Sequence, residues 1–218
     1  MENTMDDVRP LHDEDIREPL YFFLEERYGK VRIIEEKVMG RSRADALMVT
    51  EWGVCGIEIK SDADTYARLT SQVKDYDRYW DKNYVVVGKS HEKHIAEHVP
   101  DTWGIIVAED LHPGVRDGRL HFEVVREAKD NPKREMGKKL SMMWRRELDH
   151  LLALNALPKY QDKGKKYVEA VLISRVPEGR LQRQVSEELF ERDYTTIKED
   201  LRERRQQKKK TRAARGRR

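Results

Sequence analysis

The chain has 218 residues, which is the length of one large domain or of one domain with an extension. Charged residues make up 39% and hydrophobic residues 38%, yet the apolar residues fall in periodic blocks, which argues against a wholly disordered chain. The single cysteine, Cys55, excludes an intrachain disulfide framework. The sequence also shows no long apolar run and no signal-peptide pattern, so we predict a cytoplasmic protein that does not bind a membrane.

Helices and strands alternate in the first part of the chain. The apolar periodicity predicts, in chain order, a helix over 15–28, strands over 31–38, 44–50 and 54–60, a helix over 64–80, strands over 84–88 and 104–108 with a short helix between them, and a strand over 120–125. The two runs that follow the second helix are continuously apolar, which is typical of buried parallel strands.

The pattern changes near residue 128, and the chain beyond it is predicted to be helical. Asp130-Asn131-Pro132 is typical of a boundary between two regions. We therefore predict an α/β core over 1–128, a helical extension over 134–203 that could recruit a protein partner, and a basic tail over 204–218.

Basic residues are concentrated in that tail. Residues 204–218 hold nine Lys or Arg and no acid, out of 44 basic residues in the chain. The remaining 35 basic and 41 acidic side chains give the rest of the chain a net charge of −6. A cationic tail on an acidic body predicts a polyanionic partner such as nucleic acid, and a tail that only aids solubility is the alternative.

Charged residues also meet on two neighbouring predicted strands. Glu58 and Lys60 are two residues apart on one strand, so their side chains point to the same face of the sheet. A two-residue hairpin loop at Trp52-Gly53 would pair positions whose numbers add up to 105, which places Asp45 opposite Lys60 on that face. Any loop of even length keeps this parity, whereas an odd loop turns Asp45 away.

Two carboxylates and an ammonium group on one face suit a hard divalent cation. Mg²⁺ takes one or two protein carboxylates and fills its other positions with water and phosphate oxygens. Asp45 and Glu58 could supply the carboxylates, while Lys60 could hold the attacking water and stabilise charge on the phosphorus oxygens. A surface hairpin with ordinary ion pairs is the alternative, because E-x-K is common in so charged a chain.

The order of these residues resembles the PD-(D/E)XK nuclease superfamily. Asp45 and, after twelve intervening residues, Glu58-Ile59-Lys60 are similar to its D…ExK motif, although Ala44 replaces the preceding proline. Gln72 and Tyr76 resemble the QxxxY motif of the RecB-type branch. The segments DEDIREPL, RADALMV, EIKSDADTYARLTSQVKDYDRYWD and VPDTWGIIV, over about 13–110, resemble a family of small standalone bacterial and phage proteins of this superfamily.

The resemblance implies a restriction-endonuclease-like α/β fold, with a mixed central sheet flanked by helices, and a metal-dependent deoxyribonuclease that leaves 5′-phosphates. It implies that Asp45 and Glu58 bind Mg²⁺ or Mn²⁺, that the Ile59 carbonyl is a further candidate ligand, and that Lys60 is the catalytic lysine. The resemblance also implies a homodimer, since many relatives in the superfamily dimerise, and RNA is the alternative substrate. The alternatives are an inactive nucleic-acid-binding protein and an adaptor that acts through the C-terminal helices.

Further candidates surround this motif. Arg68, Gln72 and Tyr76 are spaced by four residues, so they form one helical stripe that could contact the nucleic acid. Core packing of Tyr76 and simple exposure of Gln72 are the alternatives.

Three charged residues are weaker candidates. Arg43 precedes Asp45 and could contact the nucleic-acid backbone, while Glu36 on the first strand and Glu18 on the first helix could each provide an additional acid. Loop solubility and surface ion pairing explain them equally well.

Overall fold

Six segments rich in β-branched and apolar residues form one sheet in the computed structural model, which describes residues 10–111 and 120–192. The strands are neighbours in chain order: β1 (Arg32–Met39), β2 (Ser42–Thr50), β3 (Gly53–Lys60), β4 (Lys82–Gly88), β5 (Gly104–Asp110) and β6 (Leu120–Arg126). β1, β2 and β3 are antiparallel, β3, β4 and β5 are parallel, and β6 is antiparallel to β5. The predicted mixed α/β architecture is therefore confirmed, with each predicted strand boundary within two residues.

Helices cover both faces of the sheet. On one face, α1 (Asp13–Tyr28) buries Ile16, Leu20 and Leu24 against a cluster that includes Cys55 and Ile57 of β3. The other face carries α2 (Leu69–Tyr79) and the C-terminal helices. Because successive residues of β3 point to opposite faces, the side chains of Glu58 and Lys60 lie on the α2 side.

Helix α2 begins five residues later than predicted. Asp64 accepts hydrogen bonds from the Ser61 main-chain N–H at 2.9 Å and from the Ser61 hydroxyl at 2.7 Å. Such local side-chain bonds compete with helical ones, so the chain turns after β3 before the helix starts at Leu69.

The helical prediction after residue 134 is confirmed as far as Glu191. This region contains α3 (Met136–Ser141), α4 (Arg145–Leu154), α5 (Lys165–Arg175) and α6 (Glu178–Glu191). Leu148, Leu181 and Leu189 are buried in the same cluster as Val54 of β3, so these helices share one core with the sheet. The end of the predicted extension and the basic tail lie outside the described residues. Within 10–111 and 120–192, no helix is long and apolar enough to cross a membrane.

The β2–β3 hairpin has a different register from the predicted one. Thr50 pairs with Gly53, so paired numbers add up to 103, and the two loop residues are Glu51 and Trp52. Gly53 belongs to the strand, and a larger residue there would meet Asp81, whose Oδ2 is 2.8 Å from the position of a Cβ atom. The loop still has an even length, so the predicted parity is kept and the register, continued by one residue, sets Asp45 opposite Glu58.

Candidate functional site

Glu58 is the centre of a buried hydrogen-bond network between β3 and α2. Its side chain is only 1% exposed. One carboxylate oxygen, Oε1, accepts from Lys60 Nζ at 2.6 Å and from Gln72 Nε2, and the other, Oε2, accepts from the Tyr76 hydroxyl at 2.7 Å. Tyr76 lies on the hydrophobic stripe of α2 and is buried in the core beside Trp103. This packing fixes the position of the Tyr76 hydroxyl next to Glu58.

Asp45 joins this network through Tyr76 and through β3. Its main-chain N–H donates to the Tyr76 hydroxyl at 3.4 Å, and its Oδ2 accepts from the Ile59 N–H at 2.9 Å. On the side toward α1, Arg17 Nη2 lies 3.3 Å from Asp45 Oδ1. We call Asp45, Glu58, Lys60, Gln72 and Tyr76 the acid–lysine site.

The two carboxylates are electrostatically coupled. Burial and the negative charge of Asp45 raise the pKa of Glu58 to about 7, against the opposing effect of Lys60. Burial also raises the pKa of Asp45, although the hydrogen bond from Ile59 opposes the shift. The pKa of Tyr76 lies well above its ordinary value because of burial and the neighbouring acids, so its hydroxyl remains a proton donor. A bound cation would relieve the repulsion between the acids.

Oxygen atoms without partners accompany the acids. Gln72 Oε1 and Asp13 Oδ1 are buried and accept no hydrogen bond among the described residues. Such atoms are typical of positions where water or an ion completes the structure. An all-oxygen donor set with one or two carboxylates fits Mg²⁺ or Mn²⁺. In the described parts of the chain, no three His, Cys, Asp or Glu residues form a metal-binding group, so Ile59 O, water and substrate oxygens would complete the coordination.

The outer candidates have other surroundings. Arg43 and Glu36 form an ion pair at 3.2 Å, and both side chains are more than half exposed. Arg68 precedes the first turn of α2 and is exposed, as is Glu18 on α1. Across 10–111 and 120–192, no hydrogen bond or ion pair joins these four side chains to Asp45 or Glu58.

Two neighbours of the site were not among the predicted residues. Arg17 contacts Asp45, and Asp13 holds Arg17 through a 2.8 Å hydrogen bond to Nε. Their spacing of four residues on a helix predicts an ion pair, but only the packing of α1 against the sheet brings that pair to Asp45.

The fold and the site together define a mixed α/β protein with a buried acid–lysine cluster beside the first parallel strand pair. The family model described as bacteriophage P4 protein cII matches residues 23–214, which is most of the chain. The chain belongs to this family. The matched range includes the whole acid–lysine site but neither Asp13 nor Arg17. No curated protein and no solved structure matches the chain.

Proposed function

We propose that this protein is a metal-dependent nuclease that hydrolyses phosphodiester bonds in DNA and has a restriction-endonuclease-like core. The observation that carries the proposal is the convergence of residues from β2, β3 and α2: the Tyr76 hydroxyl contacts the Asp45 main-chain N–H and the Glu58 carboxylate, the Asp45 carboxylate accepts from the Ile59 N–H, and Glu58 also binds Lys60 and Gln72. Sequence motifs that are separate along the chain thus form one hydrogen-bonded unit.

In this proposal, Asp45 and Glu58 hold Mg²⁺ or Mn²⁺, with the Ile59 carbonyl as a third oxygen ligand. When bound, the ion would polarise the scissile phosphate and lower the pKa of a water molecule. Lys60, two residues from Glu58 on the same face, orients the water and stabilises negative charge on the phosphate oxygens. Gln72 and Tyr76 hold the Glu58 carboxylate in position from the helix side.

Contact with the nucleic acid would come from exposed cations around this site. Arg68 and Arg43 are exposed and could contact phosphates. The nine cations of residues 204–218 would add binding that is independent of base sequence. The same phosphate contacts are available to RNA, so RNA is included as a test substrate.

The test is cleavage by the purified full-length chain of linear, circular and single-stranded DNA, and of RNA, with Mn²⁺, Mg²⁺ or EDTA. We expect cleavage that requires the metal and that falls by about a hundredfold or more in Asp45→Asn and in Lys60→Met, because each removes a charge that acts on the reacting phosphate. Glu26→Gln and Lys74→Met make the same kinds of chemical change at exposed helix positions and should cut like the wild type. Cleavage that survives both site substitutions would reject the proposed site.

A second candidate function has a specific observation in its favour. Each carboxylate oxygen of Asp45 and Glu58 already has a contact within the protein: Arg17 and Ile59 for Asp45, and Lys60, Gln72 and Tyr76 for Glu58. This arrangement also suits a core that binds nucleic acid without cutting it. Binding of DNA with no cleavage in Mn²⁺, unchanged in Asp45→Asn, would favour that function, and neither binding nor cleavage would favour an adaptor acting through α3–α6.

A further inference from the structure

A guanidinium group stands beside the carboxylate that would bind the cation. Arg17 contacts Asp45 twice, since its Nη2 lies 3.3 Å from Oδ1 and its Nη1 donates to the main-chain oxygen at 3.2 Å. The same guanidinium contacts Asp13, whose Oδ2 lies 2.8 Å from Nε and 2.7 Å from Nη2. Arg17 therefore bridges a carboxylate on its own helix and a carboxylate on β2.

The contacts that Arg17 makes with Asp13 and with Asp45 differ in length. Hydrogen bonds between charged nitrogen and oxygen atoms are usually about 2.7–2.9 Å long. The contacts of Arg17 with Asp13 have that length, whereas its contacts with Asp45 are longer. Asp13 lies one helical turn from Arg17, so this pair can be kept when the Arg17 side chain turns away from Asp45. Arg17 is also 19% exposed, which leaves it a path away from Asp45.

The charges at this position favour such a movement when a cation arrives. Without a cation, three carboxylates (Asp13, Asp45 and Glu58) face two cationic groups (Arg17 and Lys60). Lys60 Nζ forms an ion pair with Glu58 Oε1 at 2.6 Å, so Arg17 is the cation that neutralises Asp45. A divalent ion on Asp45 would repel the guanidinium, and the repulsion is strong at a site that is only partly solvated.

We propose that Arg17 is a reversible counter-ion for Asp45, which it holds in place while no cation is bound, and that it withdraws onto Asp13 when a divalent cation binds. The buried Asp13 Oδ1, which accepts no hydrogen bond among the described residues, can receive the displaced guanidinium. This inference rests on the proposed function, because it takes Asp45 as a cation ligand. Arg17 is thus a positioning residue whose positive charge sets how tightly the cation binds.

The experiment measures Mn²⁺ affinity of the full-length chain directly, by the electron paramagnetic resonance signal of free Mn²⁺, without substrate. Arg17→Gln removes the competing charge and keeps an amide that can bind the Asp45 main chain. We expect it to bind Mn²⁺ about fivefold more tightly, the change that corresponds to losing a partly exposed ion pair. Arg17→Lys keeps the charge and should remain within about twofold of the wild type. Thermal melting in EDTA verifies that each variant is folded.

Asp13→Asn should change the Mn²⁺ affinity in the opposite direction to Arg17→Gln. Without the Asp13 charge, Arg17 remains on Asp45, so Mn²⁺ should bind more weakly than to the wild type. The double variant Asp13→Asn/Arg17→Gln should lose less affinity relative to Arg17→Gln than Asp13→Asn loses relative to the wild type, because only the direct attraction of the Asp13 charge is then removed. Equal losses in the two backgrounds would mean that Asp13 acts on the cation without Arg17 and would overturn the withdrawal.

The remaining outcomes separate this inference from the nuclease proposal. If Asp45→Asn abolishes Mn²⁺ binding but Arg17→Gln leaves it unchanged or weaker, the metal site stands and the role of Arg17 is rejected. If neither the wild type nor Arg17→Gln binds Mn²⁺, the metal-dependent function is rejected and the inference with it.

Discussion

Two buried charged clusters lie at opposite ends of β3, and they differ in charge balance. At the start of the strand, Asp81 Oδ2 accepts from the Val54 N–H at 2.7 Å and from Lys139 Nζ, while Arg134 Nε lies 3.3 Å from Oδ1. We call Asp81, Lys139 and Arg134 the Asp81 cluster. It has one acid for two cations and joins the end of α2, the start of β3 and the C-terminal helices. The acid–lysine site at the other end has more acids than cations nearby.

This difference agrees with a structural role for the Asp81 cluster and with the binding role proposed for the acid–lysine site. In the Asp81 cluster, Oδ2 accepts from Lys139 Nζ, whereas Oδ1 lies 3.3 Å from Arg134 Nε and accepts no hydrogen bond among the described residues. In the acid–lysine site, burial raises the pKa of both carboxyl groups, and the negative charge of Asp45 adds to the shift of Glu58 as that of Asp13 adds to the shift of Asp45. An excess of buried negative charge therefore distinguishes the acid–lysine site from the Asp81 cluster, in which the cations are in excess.

The largest expected effect is on stability, at the Asp81 cluster. Lys139→Met would leave a buried carboxylate with its main partner removed, because the Lys139 side chain is only 1% exposed. We expect a loss of about 3–5 kcal/mol in the free energy of unfolding, measured by urea denaturation. Lys138→Met, at the neighbouring less buried position, should change it by less than about 0.5 kcal/mol. Adding Asp81→Asn to Lys139→Met should restore part of the loss; no restoration would mean that packing, not charge, holds this cluster.

A smaller effect, with a pH dependence, is expected at the acid–lysine site. Glu58 has a pKa of about 7 in the folded protein against an ordinary value of 4.5, so the folded state binds this proton more tightly than the unfolded state. The stability that Glu58 contributes while protonated is therefore lost as pH rises from about 4.5 through 7. Relative to the wild type, Glu58→Gln should gain up to about 3 kcal/mol of stability by pH 8 in EDTA.

Urea denaturation of both proteins at pH 5, 6, 7 and 8 measures this difference. The two unfolding free energies should diverge as pH rises and level off above about pH 8, since the group is then ionised in both states. If the unfolding free energies of the two proteins changed in parallel with pH, Lys60 and Tyr76 would fully neutralise Glu58. The acid–lysine site would then not differ from the Asp81 cluster in charge balance.

Local patterns were enough to predict the elements and most of the site. Strand alternation placed Glu58 and Lys60 on one face, and helical spacing put Gln72 and Tyr76 on one stripe. Both rules depend only on the geometry of a single element. The predicted parity of the hairpin was correct although the predicted register was wrong, because parity depends only on whether the loop length is even.

Contacts between distant parts of the chain could not be predicted in this way. At the start of β3, Asp81 lies against Gly53, and nothing in the local sequence of β2 or β3 predicts that neighbour. Lys139 lies in a short helix whose sequence gives no sign that its ammonium group is buried against Asp81. Arg17 reaches Asp45 only because α1 packs against one face of the sheet, so its part in the site depends on the assembled fold.

The smallest effect is expected for an exposed ion pair, which tests whether burial is what distinguishes the two clusters. Arg43 and Glu36 are 3.2 Å apart and more than half exposed, so Arg43→Gln should change the free energy of unfolding by about 0.5 kcal/mol or less.

If Arg43 contacts a phosphate, the same variant should weaken DNA binding at every sequence and reduce the salt slope by about one. Glu36→Gln breaks the same pair but keeps the cation, so its DNA affinity should not fall. Fluorescence anisotropy across a salt series compares them; an equal loss in both variants would assign the effect to the ion pair instead of to the cation.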